Sequence, residues 1–135
     1  ARSLYCGWGG ALSCPLPMMT SVLVSPDGCF EYEAAHGTVV DHYQRHLKGE
    51  KVSTNPLATI AAWEGALKKR GELDGNTELV NFAEKLGRAG IEVFEEGYLS
   101  EELAALCDPA ELKEMPDNER LMSLIREKLT EMMQG

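Results

Sequence analysis

Two strand-like segments lie next to each other and helical patterns follow them, so the chain offers very little sheet. Residues 20–25 form a run of β-branched and apolar side chains, and residues 30–34 alternate aromatic residues with glutamates. Between them, Pro-Asp-Gly at 26–28 predicts a tight turn, because proline presets φ and glycine accepts a positive φ. The sequence therefore predicts a single β-hairpin with one buried face.

About five helices are predicted in the remaining chain from apolar spacing, caps and glycine stops. They begin at Val40, at Asn55-Pro56, at Thr77, after Ser100 and near Asp117; the first three end at Gly49, Gly71 and Gly97, and the fourth runs through Cys107. The residues expected to face inward are Leu57, Ile60, Ala61 and Leu67 in the second helix, Leu79, Ala83, Leu86, Val93 and Phe94 in the third, and Leu121, Ile125, Leu129 and Met132 in the last.

This inventory predicts an α/β fold that is part of a larger layered structure. Two strands form a marginal sheet by themselves, and a large helical cover implies more sheet beneath it. Residues 1–17 are rich in Gly, Pro and Cys, carry one charge and show no clear period. We therefore expect an irregular segment over 1–17 and a folded part over 18–135.

Composition excludes several classes of partner. The net charge of −9 argues against nucleic acid and anionic membranes as general partners.

No apolar run reaches the length of about 18 residues that a transmembrane helix needs. The four cysteines form no CxxC pair, which favours a reduced intracellular protein. Mitochondrial and cytoplasmic locations both stay open.

Two short motifs are candidate ligand sites. EAAHGT at 33–38 places Gly37 after a strand, where backbone N–H groups can approach a ligand closely. STNP at 53–56 offers two hydroxyls and an amide at a helix start, where free N–H groups and the helix dipole attract anions. Both places suit an anionic or nucleotide ligand, and each is equally well explained as a plain turn or cap.

Four motifs in this order resemble one family. They are MMTSVLVSPDG at 18–28, EAAHGTV at 33–39, DHYQRHLKG at 41–49 and STNPLATIAAW at 53–63. Together they resemble the homodimeric, decarboxylating isocitrate dehydrogenases of the eukaryote-type branch. The resemblance weakens after about Cys107 and implies that 18–135 is the C-terminal part of the large, cofactor-binding domain. It also implies oxidation of isocitrate to 2-oxoglutarate and CO₂ with a nicotinamide cofactor and Mg²⁺ or Mn²⁺.

The resemblance assigns a cofactor-binding role to residues on the adenosine side of the cleft. It places His36 beside the adenine, with Thr54 and Asn55 at the adenine edge. The full set that it implies is Glu33, His36, Gly37, Thr38, Val39, Val40, Asp41, His42, Thr54 and Asn55.

Asp41 leads to a prediction about the cofactor. NADP-dependent members of the family have an arginine and a histidine where this chain has Asp41 and His42. A carboxylate would repel the 2′-phosphate, forfeiting a contact worth about 1.5–3 kcal/mol, and could accept hydrogen bonds from a free ribose hydroxyl. We therefore expect NAD in preference to NADP, although His42 still favours phosphate. Alternatively, Asp41 is simply a solvated acid at a helix start.

No catalytic or metal-binding residue is assigned to this chain. The family's metal-binding aspartates would fall at Ser3 and Gly7, and residues 1–17 contain no acid. The family's substrate-binding arginines and catalytic tyrosine and lysine also fall outside the chain. We therefore expect the 135 residues alone to be inactive, and the intact enzyme to be a homodimer that binds isocitrate and NAD or NADP.

Two alternatives stay open from the sequence. One is a fragment of a related dehydrogenase acting on isopropylmalate or homoisocitrate, although STNP followed by a long helix containing Trp63 favours the isocitrate branch. The other is a stand-alone helical module that binds a nucleotide or a protein partner without catalysis.

Overall fold

The computed structural model describes residues 20–34, 39–52, 54–105 and 107–135, and this part of the chain contains one hairpin and five helices. The predicted α/β class with one hairpin and about five helices is confirmed. The strands are β1 (Thr20–Val24) and β2 (Phe30–Ala34), and the helices are α1 (Val39–Leu47), α2 (Leu57–Asp74), α3 (Thr77–Glu95), α4 (Glu101–Ala104) and α5 (Asn118–Gln134).

The hairpin forms as predicted, but its apolar face is only partly covered. The strands are antiparallel, with Val22 opposite Tyr32, and Gly28 in the turn has a φ of 86°. The Tyr32 ring rests on Gly65 of α2, where an added Cβ would lie 2.7 Å from Tyr32 Cε1. Val22 and Val24 remain 48% and 59% exposed. The predicted buried face is therefore wrong for β1, because α2 packs mainly against β2, and it is wrong for Phe30 of β2, which is also exposed.

Glycines with a positive φ follow the ends of α1, α2 and α3, and the predicted end of α2 at Gly71 is wrong. Gly49 and Gly97 follow α1 and α3 with φ of 80° and 90°, as predicted. The second helix continues past Gly71 to Asp74, and Gly75 ends it with a φ of 66°. Gly71 is buried inside α2, where an added Cβ would lie 2.8 Å from Val80 Cγ2. Its lack of a side chain allows α3 to start close to α2.

Two smaller predictions about the helices are also wrong. The fourth helix ends at Ala104 and does not reach Cys107. Ala61 is exposed, whereas Ala58 and Ala62 are buried. The buried face of α2 is thus shifted from the predicted one, because α3 lies against the side that carries the small residues.

The hydrophobic core lies where the start of α2 meets the end of α3 and the middle of α5. The predicted inward residues Val93, Phe94, Leu121 and Ile125 are all buried there. The other large members of this core are Leu57, Ile60, Leu99 and Leu103. Because Leu57 is the first residue of α2, the core fixes the position of the residues that precede this helix.

Gly97 joins α3 to the segment before α5, and we expect it to tolerate no side chain. An added Cβ would lie 2.4 Å from the carbonyl oxygen of Glu111, and the φ of 90° is unfavourable for any L-residue. Gly97→Ala should therefore lower the free energy of unfolding by about 3 kcal/mol, the sum of backbone strain and steric overlap. Urea unfolding followed by circular dichroism measures this.

Gly75→Ala is the matched control, because Gly75 also has a positive φ but nothing lies within 4 Å of an added Cβ. It should cost only about 1–2 kcal/mol. Equal losses for the two variants would show that the close approach of Glu111 to Gly97 does not contribute.

Candidate functional site

Residues 54–56 of the STNP motif directly precede α2 and are connected to the start of α5. Asn55 is completely buried, and its Oδ1 accepts a hydrogen bond from the N–H of Leu57 at 2.9 Å. The N–H of Thr54 donates to Oδ1 of Asn118, also at 2.9 Å. Asn55 therefore satisfies the first N–H of α2, although Pro56 and not the predicted Asn55 occupies the N-cap position. Asn118 ties this helix start to that of α5.

Two buried hydroxyls lack hydrogen-bond partners within the described residues. Oγ1 of Thr54 and Oγ of Ser100 are buried without a hydrogen-bond partner in the part of the chain that the structure describes. Ser100 precedes α4 in an extended conformation, and its side chain makes no cap hydrogen bond. A buried, unsatisfied polar group costs about 1–3 kcal/mol, so a ligand that bonded to such a hydroxyl would recover part of this.

A cavity of about 490 Å³ lies beside the junction. Its volume is within the range of about 300–1,000 Å³ that is typical of small-molecule sites. Its walls come from the loop before Thr54, the start of α4 and the start of α5, and they carry both signs of charge. The charged residues of the walls are Lys51, Arg120, Glu101, Glu114 and Asp117.

Helix α1 turns its polar side toward the rest of the described chain. His42 and Arg45 are half-buried, whereas Val40, Tyr43 and Leu47 are each exposed over more than half of their surface. Asp41 is exposed in the first turn, where the helix dipole favours a negative charge.

Arg45 connects α1 with two other parts of the site. Its Nε donates to Oε2 of Glu50 at 2.8 Å, and its Nη2 donates to Oε1 of Glu101 at 3.3 Å. The hydrogen bonds to Glu50 and Glu101 raise the pKa of the Arg45 guanidinium further above its usual value. Glu101 also lines the cavity. The ion pairs therefore link α1 to the cavity wall.

The predicted cofactor residues are only partly described by the structure. Glu33 is exposed on β2, where it accepts a hydrogen bond from Ser21 Oγ at 2.5 Å. Val40, Asp41 and His42 lie in the first turns of α1. Thr54 and Asn55 lie together at the start of α2. His36, Gly37, Thr38 and the side chain of Val39 lie outside the described residues. The set of ten stays a prediction.

Sequence reasoning missed the residues that connect these segments. Arg45 and Glu101 are 56 positions apart, and Thr54 and Asn118 are 64 positions apart. Helical periodicity cannot reveal pairs at such separations. The sequence offered only the predicted start of the last helix near Asp117, which is confirmed: α5 begins at Asn118, and the side chain of Asp117 accepts a hydrogen bond from the N–H of Arg120.

Comparison with known proteins agrees with the motifs. The family described as isocitrate/isopropylmalate dehydrogenase matches residues 10–118. The chain belongs to this family. It is 46% identical over 116 residues to "Isocitrate dehydrogenase [NADP], mitochondrial" of Aspergillus niger, covering 84% of the chain and 23% of that protein. It is 52% identical over 90 residues to the proteins of the same name from Sus scrofa and Homo sapiens, covering 66% of the chain.

The match covers only part of the family's length. The chain spans 20% to 23% of these relatives, about a fifth. Among the described residues, no three histidine, cysteine, aspartate or glutamate side chains are grouped to hold a metal ion. No helix in the same ranges combines the length and apolar character needed to span a bilayer. Within this family segment, the junction of Thr54, Asn55 and Asn118 is the best-defined candidate site.

The unpaired hydroxyls lead to a stability prediction. Thr54→Val keeps the shape of the side chain and removes the unsatisfied group, so it should raise the free energy of unfolding by about 1 kcal/mol. Ser100→Ala should act in the same direction, because its hydroxyl makes no cap hydrogen bond. Urea unfolding without ligand measures both changes.

Thr59→Val is the control, since Thr59 lies on the exposed side of α2 and water can satisfy its hydroxyl. It should change stability by less than about 0.5 kcal/mol. A clear loss of stability in Thr54→Val would mean that its hydroxyl is hydrogen-bonded in the free protein.

Proposed function

We propose that this chain is the adenosine-binding segment of an isocitrate dehydrogenase. In the intact protein, the reaction is the oxidative decarboxylation of isocitrate to 2-oxoglutarate with a nicotinamide cofactor. The relatives that are 46% and 52% identical carry this activity in their names. The observation in the structure that carries the proposal is the buried Thr54 hydroxyl before α2, which has no hydrogen-bond partner among the described residues.

The residues at the start of α2 suit an adenosine. Thr54 supplies a hydroxyl that can donate or accept, and Asn55 is held rigidly by its bond to Leu57. The positive dipole end of α2 favours the negatively charged half of a dinucleotide. The cavity lined by Val52, Met115 and Pro116 provides space for a planar base.

The described residues do not fit a divalent metal, so no step of the reaction is derived through Mg²⁺ or Mn²⁺. In this proposal the metal is held by the remainder of the longer protein. The role of the present segment is to bind and orient the cofactor.

We propose NADP as the cofactor. The expected preference for NAD finds no support, because the relatives are named as NADP enzymes. The exposure of Asp41 in the first turn of α1 supports the alternative interpretation, in which the carboxylate is a solvated acid that stabilises the helix start. In this position it lowers the affinity for the 2′-phosphate without abolishing binding. His42, which is half-buried on the same helix, is the remaining phosphate-binding candidate.

The proposal includes isocitrate as the substrate, a homodimer as the assembly of the intact protein, and an intracellular location. The names of the relatives favour isocitrate over isopropylmalate or homoisocitrate, and the mitochondrion over the cytoplasm. Family membership and this level of identity also favour an enzyme segment over a stand-alone module.

An assay of the intact protein tests the proposed reaction. With isocitrate, NADP and Mg²⁺, NADPH should form at an absorbance-detectable rate, and isopropylmalate should give no turnover. Turnover of isopropylmalate without turnover of isocitrate would contradict the proposal.

Asp41→Arg tests the position of the ribose 2′ group. A cation there can form a charge-assisted hydrogen bond with the 2′-phosphate, worth about 1.5–3 kcal/mol. The affinity for NADP should therefore rise about tenfold or more, while the affinity for NAD changes little. Titration calorimetry with each dinucleotide gives the ratio.

Glu127→Arg is the control, because it makes the same change of charge at an exposed position on α5. It should leave the ratio of the two affinities unchanged. An unchanged ratio in Asp41→Arg would place Asp41 away from the 2′ group.

A further inference from the structure

We propose that Arg45 is a positioning residue that holds α1 in place for cofactor binding, through ion pairs with Glu101 and Glu50. This inference rests on the proposed function, since it concerns the same cofactor site. Glu50 lies in the loop that follows α1, and Glu101 lies in the cavity wall.

Helix α1 needs such an anchor because packing holds it weakly. None of the closely packed pairs of elements in the described ranges includes α1. Its apolar residues Val40, Tyr43 and Leu47 are exposed and contribute little burial. Among the side chains of α1 that the structure describes, His42 and Arg45 are half-buried, and both are polar.

The geometry of Arg45 suits a bridge between α1 and two carboxylates. We call the ion pairs of Arg45 with Glu50 and Glu101 the clamp. The two Nη groups lie 3.3–3.5 Å from the oxygens of Glu101, and Nε lies 2.8 Å from Glu50. The N–H of Glu50 also donates to the carbonyl oxygen of Arg45 at 3.1 Å. A guanidinium can engage two carboxylates at once because its donors point in fixed, divergent directions, which a lysine cannot reproduce.

The clamp acts on the residues that are proposed to face the cofactor. Asp41 and His42 lie four and three residues before Arg45, so all three share one face of α1. Fixing Arg45 therefore fixes these residues relative to the cavity wall. Without the clamp, binding would have to order α1 at the same time, which lowers the affinity.

Arg45→Met and Glu101→Gln test the clamp, because each keeps most of the side-chain volume and removes the charge. Both should weaken NADP binding and NAD binding equally: by about threefold in Glu101→Gln, which breaks one exposed ion pair, and by up to about tenfold in Arg45→Met, which breaks two. The ratio of the two affinities should stay constant, which separates a positioning residue from one that reads the 2′ group. Arg45→Lys should restore only part of the affinity.

Hydrogen exchange measured without ligand gives a second, independent readout. Exchange of the α1 amides should be faster in Arg45→Met, while the amides of α3 and α5 are unchanged. Arg88→Met is the matched control, because Arg88 forms a 2.8 Å ion pair with Glu92 on the exposed side of α3. It should alter neither nucleotide affinity nor exchange in α1.

The outcomes distinguish the clamp from the cofactor site. Unchanged nucleotide affinity and unchanged α1 exchange in Arg45→Met, with normal binding by the wild type, would overturn the clamp and leave the site standing. If the wild type bound neither dinucleotide, the proposed function would fail, and the exchange of α1 would still decide whether Arg45 holds the helix.

Discussion

The hydrogen bond from the N–H of Thr54 to the side chain of Asn118 organises the candidate site. It joins the start of α2 to the start of α5 across 64 positions of sequence. Leu57 and Leu121, which lie three residues after Thr54 and Asn118, are both buried in the same core. The polar junction and the core therefore lie next to each other, and both hold the start of α2 close to the start of α5.

Away from the candidate site, α2 and α3 stay closely packed against each other. At Gly90 of α3, an added Cβ would lie 3.2 Å from Leu57 Cδ2, and at Gly71 of α2 it would lie 2.8 Å from Val80 Cγ2. Small residues at both contacts let α2 and α3 approach along most of their length. The α2–α3 pair thus forms a rigid support, and Asn55 sits at its end, completely buried. A site placed at the end of such a pair keeps its geometry better than one placed on a loop.

The sequence predicted local features well and spatial relations poorly. The turn at Gly28 and the helix ends at Gly49 and Gly97 follow from local backbone chemistry, so they could be read directly. Gly71 was misassigned because a glycine that ends a helix and a glycine that permits close packing look alike in one sequence. The exposure of Val22 and the pairing of Arg45 with Glu101 depend on which elements meet, and apolar periodicity does not contain that information. Motif resemblance located Thr54 and Asn55, but the partner Asn118 came only from the fold.

The site and the stability of the chain make opposite demands on Thr54. An apolar side chain of the same shape would serve the free protein better, because the buried hydroxyl has lost its water and has no partner within the described residues. Asn55, its neighbour, shows that the same helix start can satisfy a buried polar side chain when stability alone requires it. In the proposed cofactor site, the Thr54 hydroxyl would be the group that bonds to the ligand. The ligand-free state carries the desolvation cost in advance, and the ligand that supplies the missing hydrogen bond is favoured over one that cannot.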